Sequence, residues 1–197
     1  CHSVQVCADG LLSNLGMSHS VRNLRWKIAG INHMAWLLEI ADGGVDLYPE
    51  IRKRAAALVE KARAKGAAKN WDMVRLDMIR HFGYYITESS EHNSEYTPYW
   101  IKANFPGLIQ EFNIPLDEYP RRCILQIANW KKRSAELTRS PNLTHSRSHE
   151  YGSYIMEAIE TDTPYRIGGN DLNNGLIPNL PAKAVVEVPS LVDKNAV

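Results

Sequence analysis

No apolar run in this chain approaches the roughly 18 residues a bilayer-spanning helix needs. Neither sign of charge dominates: 23 Lys and Arg stand against 22 Asp and Glu, interleaved along the chain, so no electrostatic face for nucleic acid or an anionic membrane is built in. Cysteine is scarce. Cys1, Cys7 and Cys123 make an odd set without framework spacing, which excludes a disulfide scaffold and reads as free thiols in a reducing compartment. The chain also lacks G-x-G-x-x-G, G-x-S-x-G and P-loop spacings, internal repeats and low-complexity tracts. It shows neither a signal peptide nor an initial Met, and the opening Cys1-His2 fits either a free-standing protein with an unusual N-terminus or a piece of something longer.

What is present is ordinary for a globular domain: 197 residues, 44% apolar, enough to bury a core of its own. Residues 3–16 read as a helix stopped at Gly16. Lys27–Ile40 is apolar on both faces at period two and reads as one buried strand. Asp42-Gly43-Gly44 then predicts a tight hairpin into Val45–Tyr48. Ile51, Ala55, Leu58, Val59 and Ala62 form a helical stripe. Asp72 is expected to cap a second helix with apolar Met73, Leu76, Ile79 and Phe82, ending at Gly83. Cys123, Ile127 and Trp130 mark a third, and Tyr151, Tyr154, Ile155, Ala158 and Ile159 a fourth with Ser148 as its cap. Ala184–Pro189 is expected to be a strand stopped by its proline. The fold class is α+β, rich in helix.

Three polar groups stand out. Cys1, His2 and His33 are donors of metal-ligand type, although a histidine in an apolar strand reads first as a hydrogen-bonded core residue. By ligand softness such a set suits zinc or iron. Gly83–Tyr96 gathers Tyr84, Tyr85, Glu88, Glu91, His92, Glu95 and Tyr96, all general acids or bases by type, against the plainer reading of a polar loop at a helix end. Gly168–Pro181, rich in Gly, Asn and Pro, is either a surface connection or a set of amides facing a polar ligand such as a sugar.

The stretches CHSVQ, GINHMAWLLEI, DLYPEI, GYYITESSEHNSEYTPYW, PLDEYPRRC and GLIPNLPAKAVVEV, in this order, resemble glycoside hydrolase family 4, and its α-galactosidase branch more than its phospho-glycosidases. The resemblance implies a two-domain architecture like that of lactate and malate dehydrogenases. Residues 1–20 would close a preceding Rossmann-like NAD-binding domain, and residues 21–197 would form most of a helix-rich C-terminal domain holding substrate and metal. The isolated segment is then expected to be inactive.

The resemblance also implies the chemistry. NAD and a divalent metal, commonly manganese, support oxidation at C3, loss of the C2 proton, departure of the aglycone, addition of water and re-reduction. By motif, Cys1 and His33 are the implied metal ligands. His2 is implied as leaving-group acid or sugar contact, in a place where phospho-glycosidases often carry Asp. Tyr84 or Tyr85 is the implied base, with Glu88 in reserve. Asn32, Arg147, His149 and Asn174 are the further implied sugar contacts. The substrate would be a small α-galactoside, handled in the cytoplasm by a homo-oligomer. An α-glucosidase, an α-galacturonidase or a dehydrogenase-like oxidoreductase stands as the alternative.

Overall fold

The structure, a computed structural model, describes residues 4–19, 23–64, 66–140, 142, 146–148 and 150–196. Helix α1 (Val4–Asn14) ends as expected at a left-handed Gly16, φ 64°. The strand expected over Lys27–Ile40 is instead two antiparallel strands, β1 (Leu24–Ala29) and β2 (Trp36–Asp42), paired from Leu24 opposite Asp42 to Ala29 opposite Trp36. Gly30 breaks it. Its φ is 152°, and a Cβ there would stand 2.6 Å from the Ala35 Cα, so only glycine lets the chain fold back on itself. The stretch is apolar on both faces because it is two strands sharing one core. Ile28, Leu37 and Ile40 point into that core, while Ile31 and Leu38 remain exposed.

Asp42-Gly43-Gly44 makes the expected hairpin into β3 (Val45–Asp46), with Asp42 opposite Val45 and both glycines at positive φ. A short β4 (Tyr85–Ile86) pairs with β2 at Trp36 and Leu37, on the edge away from β1 that β3 also uses. Helices α2 (Tyr48–Arg63) and α3 (Met73–Phe82) cover this sheet, and the predicted stripe is buried at Ile51, Ala55, Val59 and Ala62. One core joins these residues to Leu11, Leu12 and Leu15 of α1, Trp26 and Ile28 of β1, Leu76 and Ile79 of α3, and Tyr85. A fully buried leucine in such a core contributes about 1.5–3 kcal/mol by transfer alone. Asp72 sits at the N-cap of α3 but makes no capping hydrogen bond, because its carboxylate is taken up by the buried network described below. Gly83 closes α3 in left-handed geometry, its N–H reaching the Ile79 carbonyl at 2.8 Å.

A second, small core lies between α7 (Gly152–Thr161) and the hairpin of β5 (Tyr165–Leu172) and β6 (Val185–Val192), built on Ala158, Ile167 and Val192. The N-cap of α7 is Tyr151, so Ser148 is not its cap. Strand β6 runs through Pro189 rather than stopping there. Glu187 turns its N–H away from β5, to the Gly30 carbonyl at 2.7 Å, and Pro189, two residues on, has its nitrogen on that same side, where no ladder bond is lost. Gly168–Pro181 is not one connection, since its first five residues belong to β5. Short helices α4 (Ser90–Tyr96) and α5 (Gly107–Glu111) lead to α6 (Glu118–Arg139), the third expected helix, and none of the 22 residues of α6 is buried.

Candidate active site

His33 lies in the turn that Gly30 makes possible, where the Met34 N–H closes on the Ile31 carbonyl at 2.8 Å. Its backbone is left-handed, φ 66°. Across from it, Thr87 bonds the Ala35 carbonyl at 2.8 Å, and the chain turns through Glu88, also left-handed at φ 71°, before Ser89 caps α4 by accepting the His92 N–H at 3.1 Å. Left-handed geometry costs a non-glycine residue about 1–2 kcal/mol. Here two such residues hold their side chains together, with His33 Nδ1 hydrogen-bonded to Glu88 Oε2. Backbone strain of this kind collects where geometry serves function. His92 Nε2 lies 3.9 Å from the second oxygen of Glu88. Burial raises the Glu88 carboxyl, but the His33 hydrogen bond, the charges of His33 and His92 and the Ser89 N–H outweigh it, so the group stays ionised below the usual carboxylate range.

Behind this pair is a buried polar network. Arg75 donates to Asp72 Oδ1 at 2.6 Å and to the Glu88 carbonyl. The Tyr85 and Ser90 hydroxyls each donate to Asp72 at 2.7 Å, and the Arg75 guanidinium lies 4.5 Å from the Tyr85 ring centre. The network anchors the Glu88 backbone from inside the core, so the position of its carboxylate is set by α3. The Cys7 thiol borders it and is pushed up by burial. Glu187 closes the other side. Its peptide bridges Gly30 through bonds of 2.7 and 3.2 Å, tying β6 to the turn that carries His33. Burial pushes its carboxyl up, the charge of His33 lowers it and that of Glu88 raises it again. Tyr151, at the start of α7, is raised by burial and then by the charge of Glu187.

Of the residues singled out in the sequence, His33 and Glu88 are brought together, and Asn32 shares the His33 turn, half-buried. Cys1, His2 and His149 lie outside the described residues. Tyr85 is wholly buried with its hydroxyl on Asp72, and burial drives its phenol well above the usual range. Tyr84 packs edge-on against Tyr48 under Arg52, lining a cavity of about 230 Å³ with Leu38, Ile40 and Asp46. Arg147 is bound to Ser153 at 2.8 Å and to Glu157, and stacks 3.4 Å over Tyr154.

Asn174 is an exposed loop corner at φ 40°. Its neighbour Asn173 is fully buried, and its amide holds the loop closed through the carbonyls of Ile177, Leu180 and Pro181 at 2.9–3.1 Å. That loop packs against the Gly30–Met34 turn around a cavity of about 410 Å³. A further cavity of about 630 Å³, walled by Arg63, Arg80, Tyr99, Trp100 and Phe112, includes none of the His33, Glu88 and Glu187 side chains. Among the described residues no three His, Cys, Asp or Glu side chains are placed to share one metal ion.

Sequence reasoning missed Glu187, Tyr151 and the Asp72–Arg75 pair. A signal existed for the pair: Asp72 and Arg75, three residues apart at the helix start, stand among Met73, Val74 and Leu76, and a charge couple in so apolar a first turn is buried with its charges matched.

The fold agrees with what known proteins show. Residues 28–197 match the family 4 glycosyl hydrolase C-terminal domain, and the chain belongs to that family. It is 56% identical over its full length to the α-galactosidase of Bacillus subtilis (strain 168), of which it spans 44%. Solved structures share the fold across all of this chain, two of them as follows. One is a Bacillus subtilis glucosidase named LplD, with TM-score 0.76 and 18% identity, covered over 47% of its length. The other is a 6-phospho-α-glucosidase from gut microorganisms, in complex with NAD and Mn²⁺, with TM-score 0.60 and 19% identity, covered over 45%.

Proposed function

We propose that the full-length protein hydrolyses α-galactosides by the oxidation, elimination, addition and reduction route that its family resemblance implies, as a cytoplasmic homo-oligomer. The observation that carries this reading is the pairing of His33 with an ionised, buried Glu88 on two left-handed residues, in a chain 56% identical to an α-galactosidase. No helix among the described residues is long and apolar enough to cross a membrane.

His33 suits metal ligation. One ring nitrogen is committed to a buried carboxylate, the arrangement that orients metal-binding imidazoles, and its side chain keeps 31% of its exposure. Cys1 is the proposed thiolate partner. The chain carries no dinucleotide-binding turn, so no residue here is assigned to the nicotinamide. When bound, metal and nicotinamide supply charge beside the C2 and C3 oxygens and a hydride acceptor at C3.

The chain's own residues handle protons and position. Glu88, held ionised, is the proposed base for the C2 proton, ahead of Tyr84 and Tyr85. Tyr85 keeps its proton because its hydroxyl donates to Asp72 in a site sealed from water. Tyr84 is held against Tyr48 and Arg52. His2 is the proposed acid on the leaving group and Asn32 a sugar contact beside His33. Arg147 and Asn174 are outer contacts at most, since Arg147 is engaged by α7 and Asn174 is exposed, and His149 is kept as a proposed sugar contact.

The test is a panel of nitrophenyl glycosides with the full-length protein. Turnover of the α-galactoside with catalytic NAD⁺ is expected. Preference for the α-glucoside or α-galacturonide, or net accumulation of NADH, would overturn the reading. The 197-residue chain alone is expected to give no turnover.

A further inference from the structure

Glu187 is 7% exposed, and its carboxyl makes no hydrogen bond or ion pair with another described residue, but its oxygens keep some access to solvent, since the fully buried side-chain atoms without a partner are on Thr87 and Asn93. A carboxyl on so buried a residue is costly to leave without a partner, and its remaining access to solvent lets a group from outside the chain complete it. Its placement is not accidental. Two backbone bonds to Gly30 lock its peptide against the turn that carries His33, and its charged and titratable neighbours are His33, Glu88, Cys7 and Tyr151. We propose that Glu187 is a substrate-binding residue, accepting a hydrogen bond from one hydroxyl of the bound sugar next to the His33–Glu88 pair.

The ligand chemistry follows from the surroundings. With Glu88 beside it, Glu187 disfavours an anionic group such as a phosphate or uronate carboxylate at this position and favours a neutral hydroxyl donor. It joins no trio of metal donors among the described residues. The contact selects for a sugar carrying a hydroxyl in one place, because the analogue lacking it leaves the carboxyl buried and unmatched. This inference rests on the α-galactosidase reading and extends it to specificity.

The experiment measures competitive inhibition of the full-length protein by galactose and by each of its monodeoxy analogues, for wild type, Glu187→Ala and Glu187→Gln. Glu187→Ala is expected to weaken galactose about 10- to 100-fold, the worth of a hydrogen bond to a charged group, with a smaller loss for Glu187→Gln, which keeps one acceptor oxygen. For one monodeoxy galactose the wild type and both variants are expected to bind alike, since the partner hydroxyl is already gone. A loss equal across all the analogues, or no loss, overturns the proposal. Where Glu187→Ala does not fold, the same comparison with Glu187→Gln decides. Should the wild type prefer another glycoside, the galactosidase reading fails by itself, and the monodeoxy series of the preferred sugar tests Glu187 in the same way.

Discussion

The side chains at the site are each held by something deeper. Glu88, the proposed base, is kept ionised by His33 and His92, and Arg75 grips its carbonyl. Glu88→Gln in the full-length protein keeps the shape and removes the proton acceptor. It is expected to lower kcat about 10²- to 10⁴-fold with little change in KM, read by steady-state kinetics on an aryl α-galactoside. Glu187 makes the opposite contribution to stability. Its folded-state pKa is raised, so the native state binds the proton more tightly than the unfolded chain. The stability this gives is fully present below the ordinary carboxyl range and is lost as pH rises through the raised value. Glu187→Gln cannot ionise. It is therefore expected to melt above wild type at pH 8 and to lose that advantage toward pH 4, in thermal melts across the series. A residue that weakens the fold where it serves the ligand is a recurrent trade in binding sites.

Turns and buried charges do the positioning at the scale of elements. The β1–β2 hairpin exists because residue 30 has no Cβ, and the same turn carries Asn32 and His33 and meets β6 at Glu187. Gly30→Ala drives a methyl into the Ala35 backbone, and a loss of at least about 2 kcal/mol in denaturant unfolding is expected. The Asp72–Arg75 pair is nearly solvent-free. Arg75→Met leaves the Asp72 charge buried and unpaired, with an expected cost of about 3–5 kcal/mol, whereas the double variant Asp72→Asn with Arg75→Met recovers much of it. A double-mutant cycle by urea titration checks both. Should the single and double variants lose equally, Asp72 and Arg75 would not act as a pair.

For the whole molecule, the chain spans 44% of the length of its Bacillus subtilis relative, and its own surface leaves apolar groups uncovered. Helix α6 exposes Tyr119, Ile124, Ile127 and Trp130, tied to the rest chiefly by Arg122 on Glu91 at 2.9 Å. Trp130→Ser is expected to change the melting stability of this domain by under about 0.5 kcal/mol, because no packing within it is lost. In the full-length protein the same change is expected to lower the oligomeric state on a sizing column if α6 lies at a subunit interface.

Much of the chain was legible locally. Helices α2 and α3 and the Asp42–Val45 hairpin follow from apolar spacing, glycine and turn chemistry, which act over a few residues. The family motifs named His33 and Glu88 as candidates. Their meeting, 55 residues apart in sequence, depended on the Gly30 turn, the β2–β4 pairing and the Arg75 anchor, none of which is a local signal. Lys27–Ile40 was misread for a related reason: two core-facing strands and one buried strand share the same hydrophobic pattern, and only φ at Gly30 separates them. Composition and short-range periodicity therefore determined which segments are helix or strand and that the surface is balanced in charge. Tertiary structure alone decided which polar side chains left water together, because desolvation and the pairing of charges depend on distance in space and not along the chain.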